Sequence, residues 1–238
     1  MTADYDLLWS GSWGDQQKYG PTARHQRRII ASLLKMAAPV GTLLDVGCGQ
    51  GENLLLAGTV FPEAKLTGTD ISAEALKRSE LNFPRARYHS AAPGSPVVVG
   101  EFDMVMCVDV LEHVADDRAF INDLASKCGK YLLCGSVQGT MHPRERGIGH
   151  VRNYTRGELA GKVADAGFKI ISEIEWGFPF YSPLFRKLAE KPGLAEVSSG
   201  TYGVLKKALC HMLYLLFFLN SRRRGDKVFV LAQKIGAA

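Results

Sequence analysis

The stretch Leu43-Leu44-Asp45-Val46-Gly47-Cys48-Gly49-Gln50-Gly51 decides the fold. An apolar strand runs into an acidic residue, and three glycines follow at alternate positions ahead of a helix-forming segment. Glycine admits positive φ and lets backbone approach a ligand with no Cβ in the way, so the pattern reads as strand, ligand-facing loop, helix. A second strand, Lys65-Leu66-Thr67-Gly68-Thr69, ends in Asp70, nineteen residues beyond Gly51. A carboxylate at that distance accepts hydrogen bonds from both hydroxyls of a ribose seated over the glycine loop. Together the two features read as a nucleoside-binding crevice.

Glycine spacing narrows the nucleoside. A dinucleotide loop wants G-x-G-x-x-G, but here the third glycine comes one position early and Glu52 stands where a glycine is wanted. Carboxylates beside the loop repel phosphates and suit a cation. The segment 45–51 resembles the first motif of class I S-adenosylmethionine-dependent methyltransferases, and Gly68-Thr69-Asp70-Ile71-Ser72 resembles their second acidic site. The resemblance implies S-adenosyl-L-methionine as cofactor, its sulfonium and ammonium supplying the cation. It also implies cofactor contacts at Asp45, Gly47, Gly49, Gly51, Asp70 and Ile71. Further on, Val108-Asp109-Val110-Leu111-Glu112-His113-Val114 is similar to the D-x-L-E-H-V element of methyltransferases related to the quinone-biosynthesis O-methyltransferases. That places Val108 at the cofactor and Asp109 at its methionine end or at the acceptor.

The chain has 238 residues, enough for one large α/β domain carrying an insertion. Its 46% apolar and 22% charged content is that of a globular protein, and the net charge of +5 permits but does not demand anionic partners. Five cysteines without a CxxC pair argue for a reducing compartment, and no metal-ligand spacing occurs among cysteines and histidines, so no metal is expected. The start lacks a basic-then-apolar leader, which makes a cytoplasmic location the expectation, with a peripheral membrane contact as the variant. Nucleic acid is not expected, because no aromatic-interleaved basic stripe is present.

Strand and helix patterns alternate from residue 41 onward. They predict a Rossmann-like, seven-stranded, mostly parallel sheet with helices on both faces. Residues 1–40 form a helical cap, 41–176 the cofactor-binding core, 177–226 an inserted helical subdomain, and 227–238 the final core strand. A helix is expected from Thr155 to Ala166, with Thr155 as cap and Glu158 as its partner in a capping box. The run Leu209 to Leu219 is too short to span a bilayer. Its all-round apolarity predicts burial or a homodimer contact through the 204–219 helix, with anionic lipid as the alternative.

The base for a hydroxyl acceptor belongs on loops after the fourth and fifth strands. The candidates are His150, His113 and Asp109. His150 leads, because neutral imidazole accepts a proton near neutral pH. Its segment, Gly149-His150-Val151-Arg152 followed by Tyr154-Thr155, is similar to one found in bacterial small-molecule methyltransferases. Ala91 is the expected backbone contact to adenine, since no acidic or amide residue follows the third strand. On the basic N-terminal helix, Arg24 is the candidate for the methionine carboxylate. The expected activity is O-methylation of an apolar or lipid-like small molecule. The alternatives are N- or C-methylation, or a non-catalytic cofactor-binding scaffold.

Overall fold

The computed structural model describes residues 4–37, 39–92, 100–190 and 200–236. Its strands are β1 (Thr42–Val46), β2 (Lys65–Asp70), β3 (Arg87–Ser90), β4 (Phe102–Val108), β5 (Cys128–Val137), β6 (Phe168–Trp176) and β7 (Lys227–Lys234). They form one sheet in the order β3-β2-β1-β4-β5-β7-β6. The first five run parallel, and β7 lies antiparallel between β5 and β6. The order reverses between β1 and β4, and ligands of open α/β sheets bind beyond the carboxyl ends of the strands at such a switch point.

The helices are α1 (Tyr5–Leu8), α2 (Gly14–Tyr19), α3 (Pro21–Leu34), α4 (Glu52–Val60), α5 (Ala73–Asn82), α6 (Asp117–Ser126), α7 (Pro143–Gly147), α8 (Glu158–Asp165), α9 (Arg186–Leu188) and α10 (Val204–Leu216). A π-helical turn, Trp9–Trp13, joins α1 to α2. Alternation along β4 shows why both faces must be covered. Met104, Met106 and Val108 enter one core with Ile30 and Leu33 of α3, Leu54 of α4 and Phe217. Val105 and Cys107 enter the other with Phe120 and Leu124 of α6 and Leu159 and Val163 of α8. A strand apolar at every position after Asp103 is the signature of burial on both sides.

Two expectations are corrected. The helix expected from Thr155 begins at Glu158, behind a left-handed Gly157. The Glu158 carboxylate does reach the Thr155 amide at 2.9 Å. The Thr155 hydroxyl, however, donates to that carboxylate instead of capping the helix, so only half of the capping box forms. The apolar run, expected to be buried or to form a homodimer contact, is a surface helix of the single chain. Within α10 only Cys210 is buried, and the side away from α3 lies open. Among the described residues no helix is long and apolar enough to cross a membrane.

Candidate active site

The glycine loop leaves β1 with positive φ at Gly47, Gly49 and Gly51 (75°, 54° and 87°), which L-residues with a Cβ adopt only under strain. Space is limiting as well: a Cβ at Gly47 would collide with Val110, and one at Gly49 would fall 2.6 Å from the indole of Trp9. The Gly47 and Cys48 amides donate to the Thr69 carbonyl, welding the loop to the end of β2. Asp70 then bridges crevice and helix: its carboxylate accepts from Gly49 N at 2.8 Å and from Ser72 N at 2.9 Å. Each carboxylate oxygen keeps a further acceptor site for a ribose hydroxyl.

Asp45 lies beneath this loop, fully buried, and neither of its oxygens has a partner. Burial first, and then the nearby Asp70 charge, push its pKa up to about 8. A buried, unpartnered carboxylate under a Cβ-free loop fits a cationic ligand and disfavours an anionic one. The residues present therefore fit an adenosyl sulfonium: Asp70 would hold the ribose, and Asp45, protonated to about pH 8 without a ligand, would ionise beside the positive charge. Ile71, exposed beside Asp70, offers an apolar surface for a base.

From the glycine loop a cavity of about 330 Å³ runs past the ends of β4 and β5 to α9 and α10. This lies at the small end of the range for ligand sites. At its floor Asp109 sits in a left-handed conformation (φ 58°). It is held by Lys227 Nζ at 2.8 Å and Gln26 Nε2 at 2.7 Å. Burial alone would raise the Asp109 pKa, but the Lys227 ammonium outweighs it and holds the carboxyl below its ordinary value. Asp109 is thus a fixed anion and a poor base.

The loop after β5 folds back onto the short helical turn Leu111–His113. The Val151 amide donates to the Glu112 carbonyl, and the Arg152 guanidinium caps the carbonyls of Val114 and Ala115. This brings His150 edge-on to His113, with ring centroids 4.6 Å apart. His113 Nδ1 faces the Tyr5 hydroxyl at 3.1 Å, and His150 Nδ1 faces Asn153 Oδ1 at 3.4 Å. Burial is the leading reason that both imidazoles titrate below their ordinary value. With buried Glu112 they also form the one group of metal-ligating side chains found among the described residues, their donor atoms within 4.8 Å of one another. Those donors are partly engaged, Glu112 Oε2 by the Ser136 hydroxyl at 2.7 Å, and the Lys227 ammonium already supplies a cation nearby.

Val108, Asp109, His113 and His150 share the cavity with Gly47 and Gly49. Six sequence candidates do not line it: Asp45, Gly51, Asp70, Ile71, Arg24 and Ala91. Arg24 instead stacks on the Tyr214 ring, 3.5 Å from its centroid, and it is Arg27, one residue short of a further turn, that lines the cavity. The Ala91 amide donates to the Asp70 carbonyl at 2.9 Å, so a backbone contact to adenine there would fall to the Ala91 carbonyl.

Three of the lining residues that the sequence reading did not assign to the site stand out. Lys227 opens β7, and because that strand is antiparallel its first residue lies on the rim where the parallel strands end, opposite Val137. A lysine heading an otherwise apolar final strand was the available signal. Gln26 carried none. Trp9 lies on the glycine loop because Asp6 ties the N-terminal segment to α5, accepting from the Ser72 hydroxyl at 2.5 Å and the Glu74 amide at 3.1 Å.

Comparison with known proteins agrees with this fold. A family model described as a methyltransferase domain matches residues 22–173, well over half of the chain. The chain is 26% identical over 187 residues to the trans-aconitate 2-methyltransferase of Azoarcus sp. (strain BH72), covering 74% of this chain and 70% of that protein. It is 34% identical over 114 residues to the ubiquinone biosynthesis O-methyltransferase of Xanthomonas campestris pv. campestris (strain B100), spanning 44% of this chain and less than half, 47%, of that relative. Among solved structures it resembles the magnesium protoporphyrin IX methyltransferase of Synechocystis PCC 6803 (TM-score 0.56, 15% identity, 90% of this chain and 85% of that one). It also resembles the N-methyltransferase NodS of Bradyrhizobium japonicum WM9 (TM-score 0.60, 14% identity, 92% and 91%). At such identities these two structures speak for the fold alone.

Proposed function

The chain belongs to the methyltransferase-domain family and is an S-adenosylmethionine-dependent methyltransferase acting on a small molecule; from that premise we propose that it methylates an oxygen nucleophile on an apolar acceptor, with His150 as general base. The cofactor, when bound, supplies a methyl group activated by the sulfonium. The protein's share is to hold that group over Asp45 and Asp70, align the acceptor, exclude water and take a proton.

The observation that carries the reading is the amide of Asn153. Its Nδ2 donates to the Thr140 carbonyl at 3.2 Å and to Glu145 Oε2 at 2.9 Å. Those two bonds fix the amide so that Oδ1 faces His150 Nδ1 as an acceptor. The proton of a neutral His150 therefore sits on Nδ1, and Nε2 keeps the lone pair that a base needs. A proton leaving an acceptor hydroxyl would move to Nε2, making an imidazolium near the anionic Asp109. Tyr181, Phe185 and Leu213 wall the far end of the cavity and suit an apolar acceptor.

Incubating the enzyme with S-adenosylmethionine and a metabolite extract, then resolving methylated products by mass spectrometry and NMR, tests the reading. A new methoxy group on a hydrophobic compound is expected. Methylation only at nitrogen or carbon would overturn the choice of oxygen.

A further inference from the structure

Charge on this chain is segregated. No acidic residue occurs between Asp15 and Asp45, nor between Glu196 and Asp226, and these two stretches carry ten lysines and arginines. The whole chain is +5, so the remainder is net negative, with 19 basic against 24 acidic residues. Folding joins the two basic stretches, because α10 packs along α3: Arg24 stacks on Tyr214, Arg28 on Phe218 (3.8 Å to the centroid), and Arg222 donates to Ser32 at 2.7 Å.

The same helix, with the 3-10 turn Phe217–Leu219 that follows it, is divided lengthwise. Cys210 and Leu213 face the cavity, and Phe217 enters the core. On the opposite side Leu205, Met212 and Leu219 repeat at helical spacing and are 85%, 64% and 68% exposed, with Leu215 between them at 55%. Exposed basic side chains of Arg28, Lys207 and Arg222 rim this stripe. Long basic side chains that lie along apolar surface with their charges outward are the arrangement of an interfacial helix.

We propose that the outer face of α10 docks on an anionic lipid bilayer, with the helix lying in the interface plane. A second copy of this chain fits poorly, since a twofold contact would set the same cations against one another. Nucleic acid would leave the leucines and methionine without an apolar partner. Docking sets the acceptor cavity directly behind the membrane-facing helix, so a lipid-soluble acceptor reaches it from the bilayer. This last step rests on the methyltransferase reading, whereas the docking itself does not.

The test is co-sedimentation with vesicles of phosphatidylcholine, with and without phosphatidylglycerol. The protein is expected to pellet with the anionic vesicles only and to be released by salt. Arg28→Glu and Arg222→Glu should each weaken partitioning about fivefold or more, as about 1 kcal/mol for each basic residue near the surface implies. Leu205→Asp/Met212→Asp should stay in the supernatant while keeping its near-ultraviolet circular dichroism. Protein that stays in the supernatant with both vesicles, or pellets equally with both, overturns the proposal. So does a lipid-free dimer that the Leu205→Asp/Met212→Asp variant converts to monomer. Calorimetry with S-adenosylmethionine on the same preparations separates the two readings: retained cofactor affinity without vesicle binding sinks the docking alone, and vesicle binding without cofactor affinity sinks the methyltransferase reading alone.

Discussion

Asp45 is buried without a partner, and that fixes how stability should vary with pH. The folded protein keeps the Asp45 proton to about pH 8, whereas the unfolded chain releases it near the ordinary aspartate value. Across that window the unfolded state binds fewer protons, so stability should fall as pH rises from about 4 to about 8. Asp45→Asn imitates the protonated acid and should remove that slope; thermal melts across the range would show it, and an unchanged slope would assign it to other groups. His150 belongs to the same scale. If its neutral imidazole takes the acceptor proton, His150→Ala should lower kcat by about 10²- to 10⁴-fold with cofactor affinity little changed. Wild-type kcat should decline on the acid side only below the usual imidazole value of about 6.5, because burial lowers this pKa. A variant that keeps full turnover would move the role elsewhere on the cavity wall.

The elements act through where they end. Lys227, at the head of β7, ties that strand to Asp109 of β4, and Gln26 ties in α3. Lys227→Met leaves the partly exposed Asp109 carboxylate without its ammonium, with Gln26 as remaining partner, and should cost about 1.5–3 kcal/mol in urea unfolding. A loss under 1 kcal/mol would mean that Asp109 protonates instead. The N-terminal segment lays Trp9 on Gly49 and Trp13 against Trp9, ring centroids 5.3 Å apart. Adding S-adenosylhomocysteine should therefore change tryptophan emission, and Trp9→Phe/Trp13→Phe should abolish that change, leaving Trp176 silent. These element ends mark the limit of what could be read beforehand. The strands were legible because their apolar period is local. The closure of Gly149–Tyr154 onto Leu111–His113, the Lys227–Asp109 pair and the outward turn of Arg24 depend on how distant segments meet, which one-dimensional spacing does not encode.

At the scale of the molecule, a sheet that reverses order beside β1 sets a cation-favouring crevice at one end of a cavity and an apolar wall at the other. The crevice was legible because glycines and carboxylates at fixed offsets carry their geometry with them. The apolar wall was legible only as composition, and α10 was misplaced because all-round apolarity does not say which side of a helix meets solvent. On the proposed reading the two carboxylates hold the cofactor. Isothermal calorimetry of S-adenosylmethionine against the wild type and Asp70→Ala, both shown to unfold cooperatively, is the most direct measurement. Saturable binding to the wild type, weakened about 10- to 100-fold by loss of charged hydrogen bonds to the ribose, is the expected result. Equal affinity in the two proteins, or no binding to either, would contradict it.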